Sequence, residues 1–319
     1  MKKYFLIIFT LFVCNTYGQT FEDLTQSAIK AGKEKHYREA IDYFNKALKL
    51  DKRNYHIYKE LSLLYYHLDN LDSSIIYCNL ILQIIPNDTS ALYQRGYCYK
   101  EKNEFQKAID DFTLSFEKAN KRSSDACFNI GKCYSELGNF DKAIEYYNLT
   151  LTLEPNDKYS YYELGFCYAS LKIPDKDNAL KYYNKAIEQD KNYYDPYFNR
   201  GLLYAVQFKN LKKGHEDLER SIEIRPKNKL SYLYNGMLYR DEAKEESEEK
   251  LFKARDMFDK VIKLYPEYPN AYFERAVTWY KIGILNMVCK DLDKAESLGY
   301  AKATEYKKIL SANEKDNCR

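Results

Sequence analysis

The sequence predicts an all-α chain built from repeated pairs of helices, and three observations carry that prediction. Gly96, Gly131, Gly165, Gly201 and Gly236 recur at separations of 35, 34, 36 and 35 residues, and each stands three residues before a tyrosine (Tyr99, Tyr134, Tyr168, Tyr204 and Tyr239). A small residue followed four positions later by an aromatic comes next in several repeats: Ala108 and Phe112, Ala143 and Tyr147, Ala179 and Tyr183, Ala254 and Phe258. Within a repeat the apolar residues recur at helical period, as Ala143, Ile144, Tyr147 and Leu151 do on one face. A fixed period of this length marks supersecondary units that cannot bury their apolar faces alone and must stack.

In chain order the repeats are 21–54, 55–88, 89–123, 124–157, 158–193, 194–228, 229–268 and 269–302. The first is marked by Ala28, Ala40, Phe44 and Ala47, the second by Leu61, Tyr65 and Pro86. The third to seventh carry the glycine and tyrosine signature, and Pro155, Pro226 and Pro266 close three of them. The fifth is extended around Ile173-Pro174-Asp175-Lys176-Asp177. The seventh is the longest, through an acidic stretch from Asp241 to Lys250 that reads as a solvated helix pair with local Glu–Lys spacing. The eighth keeps Ala276, Trp279 and Ala295 but has Val288 and Leu292 in place of the usual alanine and aromatic, the drift expected of a terminal repeat. Tyr306, Ile309 and Leu310 mark one more helix in a capping segment and tail at 303–319.

This pattern resembles the tetratricopeptide repeat, a helix–turn–helix unit of 34 residues, over essentially the whole chain after residue 18. The resemblance implies a right-handed α-solenoid of about eight repeats spanning 19–302. A glycine or alanine at the eighth position of a repeat lets its two helices approach closely, and Asn and Asp near the repeat ends (Asn87-Asp88, Asn156-Asp157) supply turn and N-cap chemistry.

Residues 1–18 read as a secretory signal: Lys2-Lys3, an apolar run from Tyr4 to Val13, then small residues at Thr16 and Gly18. The run is shorter than the roughly 20 residues a membrane helix needs. Cleavage after Gly18 leaves Gln19 first, in an exported protein that is periplasmic, envelope-associated or secreted. Leu11-Phe12-Val13-Cys14 also resembles a lipobox, the minority alternative, which ties the chain to a membrane by acylation of Cys14. The full chain carries 50 Lys and Arg against 47 Asp and Glu, and removing residues 1–18 takes two lysines and no acid, bringing the net charge from +3 to +1. Nucleic-acid binding is therefore not expected.

Cys98, Cys133 and Cys167 occupy one position in three successive repeats. Stacked helices stand about 8–10 Å apart, beyond the roughly 7 Å that a disulfide tolerates between Cα atoms, so these read as buried apolar groups. No CxxC occurs and the four histidines are scattered, so no metal site is expected. There is no GxGxxG, P-loop, GxSxG, HExxH or EF-hand loop, and Asp110-Asp111 point in different directions from one helix. The expectation is a protein that is not an enzyme and binds no cofactor.

In the family it resembles, the first helix of each repeat lines a peptide-holding surface. Carried to this sequence, that implies a candidate groove of Tyr93, Tyr97, Phe128, Tyr162, Phe166, Phe198, Leu233 and Phe273, with Asn129 and Asn199 placed to bond a peptide backbone. Amphipathic rings give large contact area at low entropy cost. The carboxylate clamp of some family members is not carried over, because Thr25 and Ile29, or Lys59 and Leu63, occupy its first two positions. The expected function is an interaction scaffold in the cell envelope with a protein or peptide partner. The alternative is a regulatory or assembly subunit of an enzyme or secretion complex whose chemistry lies in another chain.

Overall fold

A computed structural model describes residues 20–243 and 248–312. Among them the chain forms seventeen helices and no strand, so the all-α expectation holds. The helices fall into two compact bodies that divide between Leu137 and Gly138. The first holds the pairs α1 (Phe21–Lys33) with α2 (Tyr37–Leu50), α3 (Tyr55–His67) with α4 (Leu71–Ile84), and α5 (Thr89–Glu101) with α6 (Phe105–Lys118), then α7 (Ser124–Glu136). The second opens with α8 (Phe140–Leu153). It continues with α9 (Lys158–Ser170) paired to α10 (Lys176–Gln189), α11 (Tyr194–Val206) to α12 (Leu211–Ile224), α13 (Lys229–Glu242) to α14 (Glu248–Leu264), and α15 (Pro269–Ile282) to α16 (Leu285–Ser297). It ends with α17 (Ala301–Ala312). The predicted signal at 1–18, with Cys14, lies outside the described residues.

The helix ends follow local chemistry. Asn54, Asn70, Asp88, Ser123, Asn139, Asp157, Asp175, Asn210 and Asn228 each accept a hydrogen bond from a backbone N–H of the helix they precede. Several turns between helices carry a residue with positive φ, which glycine adopts without strain at Gly138 (72°) and Gly283 (89°).

Packing within a pair is built around a residue with no side chain. A Cβ added at Gly165 stands 2.6 Å from the Tyr183 ring; at Gly236, 2.8 Å from Phe258; at Gly96, 3.0 Å from Phe112. The ring of the second helix therefore rests on the backbone of the first. The α11–α12 pair uses two glycines: a Cβ on Gly201 meets the Gly214 carbonyl at 3.1 Å, and one on Gly214 meets the Gly201 carbonyl at the same distance.

Beside Gly96, Gly201 and Ala276, the small residues of three pairs, sits an arginine that ties three helices together. Arg95 donates from Nε and Nη2 to the two oxygens of Asp111, both at 2.7 Å, and from Nη1 to Asn79 Oδ1 at 2.6 Å. Arg200 forks onto Asp217 at 2.8 and 2.7 Å and reaches Asn184. Arg275 forks onto Asp291 at 2.8 and 2.7 Å and reaches Asp259. Each arginine thus joins its own pair to the second helix of the preceding one, with the fixed fork geometry that favours arginine here. Hydrogen bonding to Asp111 holds the Arg95 guanidinium above its ordinary value. Asp111, read from sequence only as one of two adjacent acids, is a structural anchor.

Cys98, Cys133 and Cys167 are buried and outside any disulfide, as the helix spacing predicts. Burial pushes the Cys133 thiol up to about 11, leaving it little thiolate at neutral pH. Cys289 on α16 is disulfide-bonded, which the sequence did not announce. The acidic stretch of the seventh repeat carries the expected pairs, Lys250 to Glu242 and Lys253 to Glu249, both at 2.8 Å; its residues 244–247 lie outside the described set.

The ring-on-backbone contact gives a direct test. Gly165→Ala forces Tyr183 aside and is expected to cost about 1–3 kcal/mol by overpacking, read as a lower urea midpoint in equilibrium unfolding. An unchanged midpoint contradicts the contact.

Candidate functional site

The candidate groove residues sit on the first helices of successive pairs, but the structure divides them by role. In the first body, Tyr93 is half-buried with its ring 5.3 Å from Phe112 and 6.2 Å from Tyr97. Its hydroxyl accepts from Asn129 Nδ2 at 3.0 Å. Asn129 is buried and has little left to offer: Nδ2 also donates to the Asp125 carbonyl at 2.9 Å, and Oδ1 accepts from Lys100 Nζ at 3.0 Å. Tyr97 carries the Lys100 ammonium 3.8 Å from its ring centre and meets Tyr66 edge-on at 5.7 Å. Phe128 on α7 is half-buried.

The second body repeats the arrangement. Tyr162 packs against Tyr183 and Tyr193, and its hydroxyl accepts from Asn199 Nδ2 at 3.0 Å. Asn199 also donates to the Asp195 carbonyl at 3.3 Å. Phe198 stacks on Tyr194 and meets Tyr234 edge-on. Phe166 is 38% exposed, touching Phe140 edge-on. Phe273 lies against Tyr300 and Tyr306.

Two sequence expectations need correction. Leu233 is only 5% exposed and belongs to the core with Ala254, Phe258, Val261 and Ala271, because α13 turns that position toward α14 and α15. Asn129 and Asn199 spend their amides on a tyrosine of the preceding first helix and on their own helix backbone. They lock consecutive first helices in register; the Asn129 amide in particular is not held ready for a peptide.

What remains open lies largely beside these rings. A cavity of about 360 Å³ in the first body is lined by α3, α5, the end of α6 and the start of α7, and includes Lys59, Leu63, Tyr93, Gln94 and Asp125. A second, of about 440 Å³, lies between α1, α2 and α3 and shares Leu63. Leu63 is 43% exposed, a large apolar side chain between two cavities. Lys59 is held by Asp88 at 3.2 Å, while the Tyr55 hydroxyl donates to the same carboxylate. Leu63 is the ninth residue of its repeat, the place that Tyr97 and Phe166 hold in theirs, and that register is the signal that finds it.

The site mixes an apolar floor with amide, hydroxyl and paired charged groups, which suits recognition of a polypeptide. Among the described residues no group of three or more His, Cys, Asp or Glu is placed to hold a metal ion, and no helix is long and apolar enough to cross a membrane.

Family models described as tetratricopeptide repeat match residues 26–89, 89–119, 124–157 and 159–193. The C-terminal part of a tetratricopeptide repeat-containing protein from Cytophaga hutchinsonii superposes with a TM-score of 0.63 at 22% identity, over 78% of this chain and 98% of that one. A tetratricopeptide repeat protein from Parabacteroides merdae gives 0.58 at 20% identity, over 78% and 95%. The MamA protein gives 0.51 at 26% identity, over 55% and 94%. In sequence the chain is 25% identical over 93 residues to human sperm-associated antigen 1, a stretch that is 29% of this chain and 10% of that protein.

Burial pushes the Tyr93 phenol up to about 12, with the nearby Asp125 carboxylate adding to the effect, against about 10 when unfolded. The folded state keeps this proton longer. Its stabilising share is therefore full below about pH 10 and lost as pH rises toward 12. Unfolding free energies measured from pH 9 to 12 are expected to fall across that window, less steeply in Tyr93→Phe; an identical slope in the variant contradicts the assignment.

Proposed function

The chain belongs to the tetratricopeptide repeat family, and from that premise we propose that it is a non-enzymatic interaction scaffold that holds a protein or peptide against the first helices of its repeats. One observation carries the reading. In the first body, Leu63 stands exposed between two cavities, one of which also bears Tyr93 and Gln94 on its wall, so apolar anchoring and backbone hydrogen bonding are available side by side. Phe166 offers a comparable exposed apolar side chain on α9 of the second body. The repeat extends on this reading to about eight units.

The proposal places the protein beyond the inner membrane, by cleavage of residues 1–18. The Lys2-Lys3 start and short apolar run support it. The lipid-anchored form differs only in starting at an acylated Cys14. A role as the non-catalytic subunit of an enzyme or secretion complex remains the second reading of the same surface.

Two measurements bear on this. A random dodecapeptide library selected on residues 19–319 is expected to enrich peptides that bind Leu63→Arg at least tenfold more weakly, with the melting temperature unchanged because the site is exposed. Failure to enrich, or equal binding to the variant, counts against the groove. The intact mass of the protein purified from its native envelope is expected to correspond to a chain starting at Gln19; an acylated Cys14 start selects the anchored form, and an intact Met1 start sinks the export reading.

A further inference from the structure

The turn from α12 to α13 reads Arg225-Pro226-Lys227-Asn228-Lys229. Five of the other turns leading from a second helix to the next first helix carry an acid (Asp51, Asp88, Glu154, Asp190 and Glu267), whereas the α6–α7 turn has Lys121 and Arg122 and no acid. The α12–α13 turn has three cations and no acid. They line an open cleft of about 670 Å³ together with Pro226, Leu230 and Tyr265. Leu230 and Tyr265 are 37% and 36% exposed, so the floor is apolar and accessible.

The charges are only partly satisfied. Lys227 and Lys229 form no ion pair with a described residue. Lys229 lies over the rings of Tyr268 and Tyr265, at 4.4 and 5.4 Å, which orients its ammonium without neutralising it. Arg225 stacks over Tyr194 at 4.5 Å, and its contact with Asp195 is long, 3.8 Å, between exposed groups that water screens. The Tyr265 hydroxyl donates to the Lys227 carbonyl and braces the turn. The start of α13 is already capped, since Asn228 Oδ1 accepts from the backbone N–H groups of Leu230 and Ser231. The side-chain cations, not the helix end, are what the cleft holds free for a ligand.

We propose that this cleft is a second binding site, distinct from the first-helix groove, that takes an acidic peptide segment. Two or more carboxylates meet Lys227, Lys229 and Arg225, and an apolar side chain between them rests on Leu230 and Tyr265. The apolar floor favours such a segment over a bare phosphate, and the near-neutral net charge after residue 18 offers no extended field for a nucleic acid.

The test uses residues 19–319 and a fluorescein-labelled peptide, Asp-Glu-Leu-Asp-Glu, followed by anisotropy in 50 mM and 300 mM salt. Saturable binding is expected that weakens with salt, falls at least tenfold in Lys227→Glu/Lys229→Glu, and is unchanged in Leu63→Arg. The Asn-Gln-Leu-Asn-Gln peptide is expected not to bind. Lys227→Gln/Lys229→Gln serves as the readout should the charge reversal fail to fold. The proposal is overturned by non-saturable binding, by equal binding to the lysine variants, by full displacement with millimolar inorganic phosphate, or by a single-stranded oligonucleotide that binds more tightly with the same lysine dependence. Loss of the groove through Leu63→Arg leaves this result standing, so the two sites fail separately.

Discussion

The rest of the structure depends on the close approach of two helices over a residue that has no side chain. At Gly96, Gly165 and Gly236 an aromatic ring of the second helix sits where a methyl group belongs. That contact fixes the separation of the pair and commits one face of the first helix to its partner. It also explains why glycine, costly in a helix interior, recurs there. The arginines at 95, 200 and 275 each precede the small residue and extend the same junction to the preceding pair. Dispersion and ring burial set the distance; the charged forks set the register.

The tyrosine excess follows from this plan. Tyr99, Tyr204 and Tyr239 lie near cations from their own or the paired helix: Arg95 and Lys107, Arg200 and Lys213, and Lys253. A ring that packs on one side, reaches water at its hydroxyl and attracts a cation on its face serves such half-buried positions better than phenylalanine. Tyr93 and Tyr162 use the hydroxyl differently, as acceptors for Asn129 and Asn199. The framework of the groove is thereby rigid, and its open contact area falls to neighbours such as Leu63.

Much of the fold was legible because its signals are local and periodic. The glycine spacing, the small residue and aromatic of the second helix, and the Asn and Asp caps all act within one pair. The site was less legible, since exposure depends on which neighbours cover a side chain. Leu233 is the fifth residue of its repeat, as Tyr93 is of its own, yet α14 and α15 bury it. Asn129 and Asn199 look available in sequence, but their partners lie 36 and 37 residues away. The arginine forks span 16 or 17 residues to each partner and read in sequence as ordinary surface charge. The Arg225–Lys229 turn was visible as letters, but only the cleft over Leu230 and Tyr265 gives it meaning.

The central claim is that the first helices present the recognition surface while the second helices hold it in place. Hydrogen–deuterium exchange of residues 19–319 with and without a library-selected peptide tests this most directly. The account predicts added protection on α3 and α5 around Leu63, Tyr93 and Gln94, with exchange in α4 and α6 unchanged. Protection confined to α4 and α6, with none on α3 or α5, would contradict it.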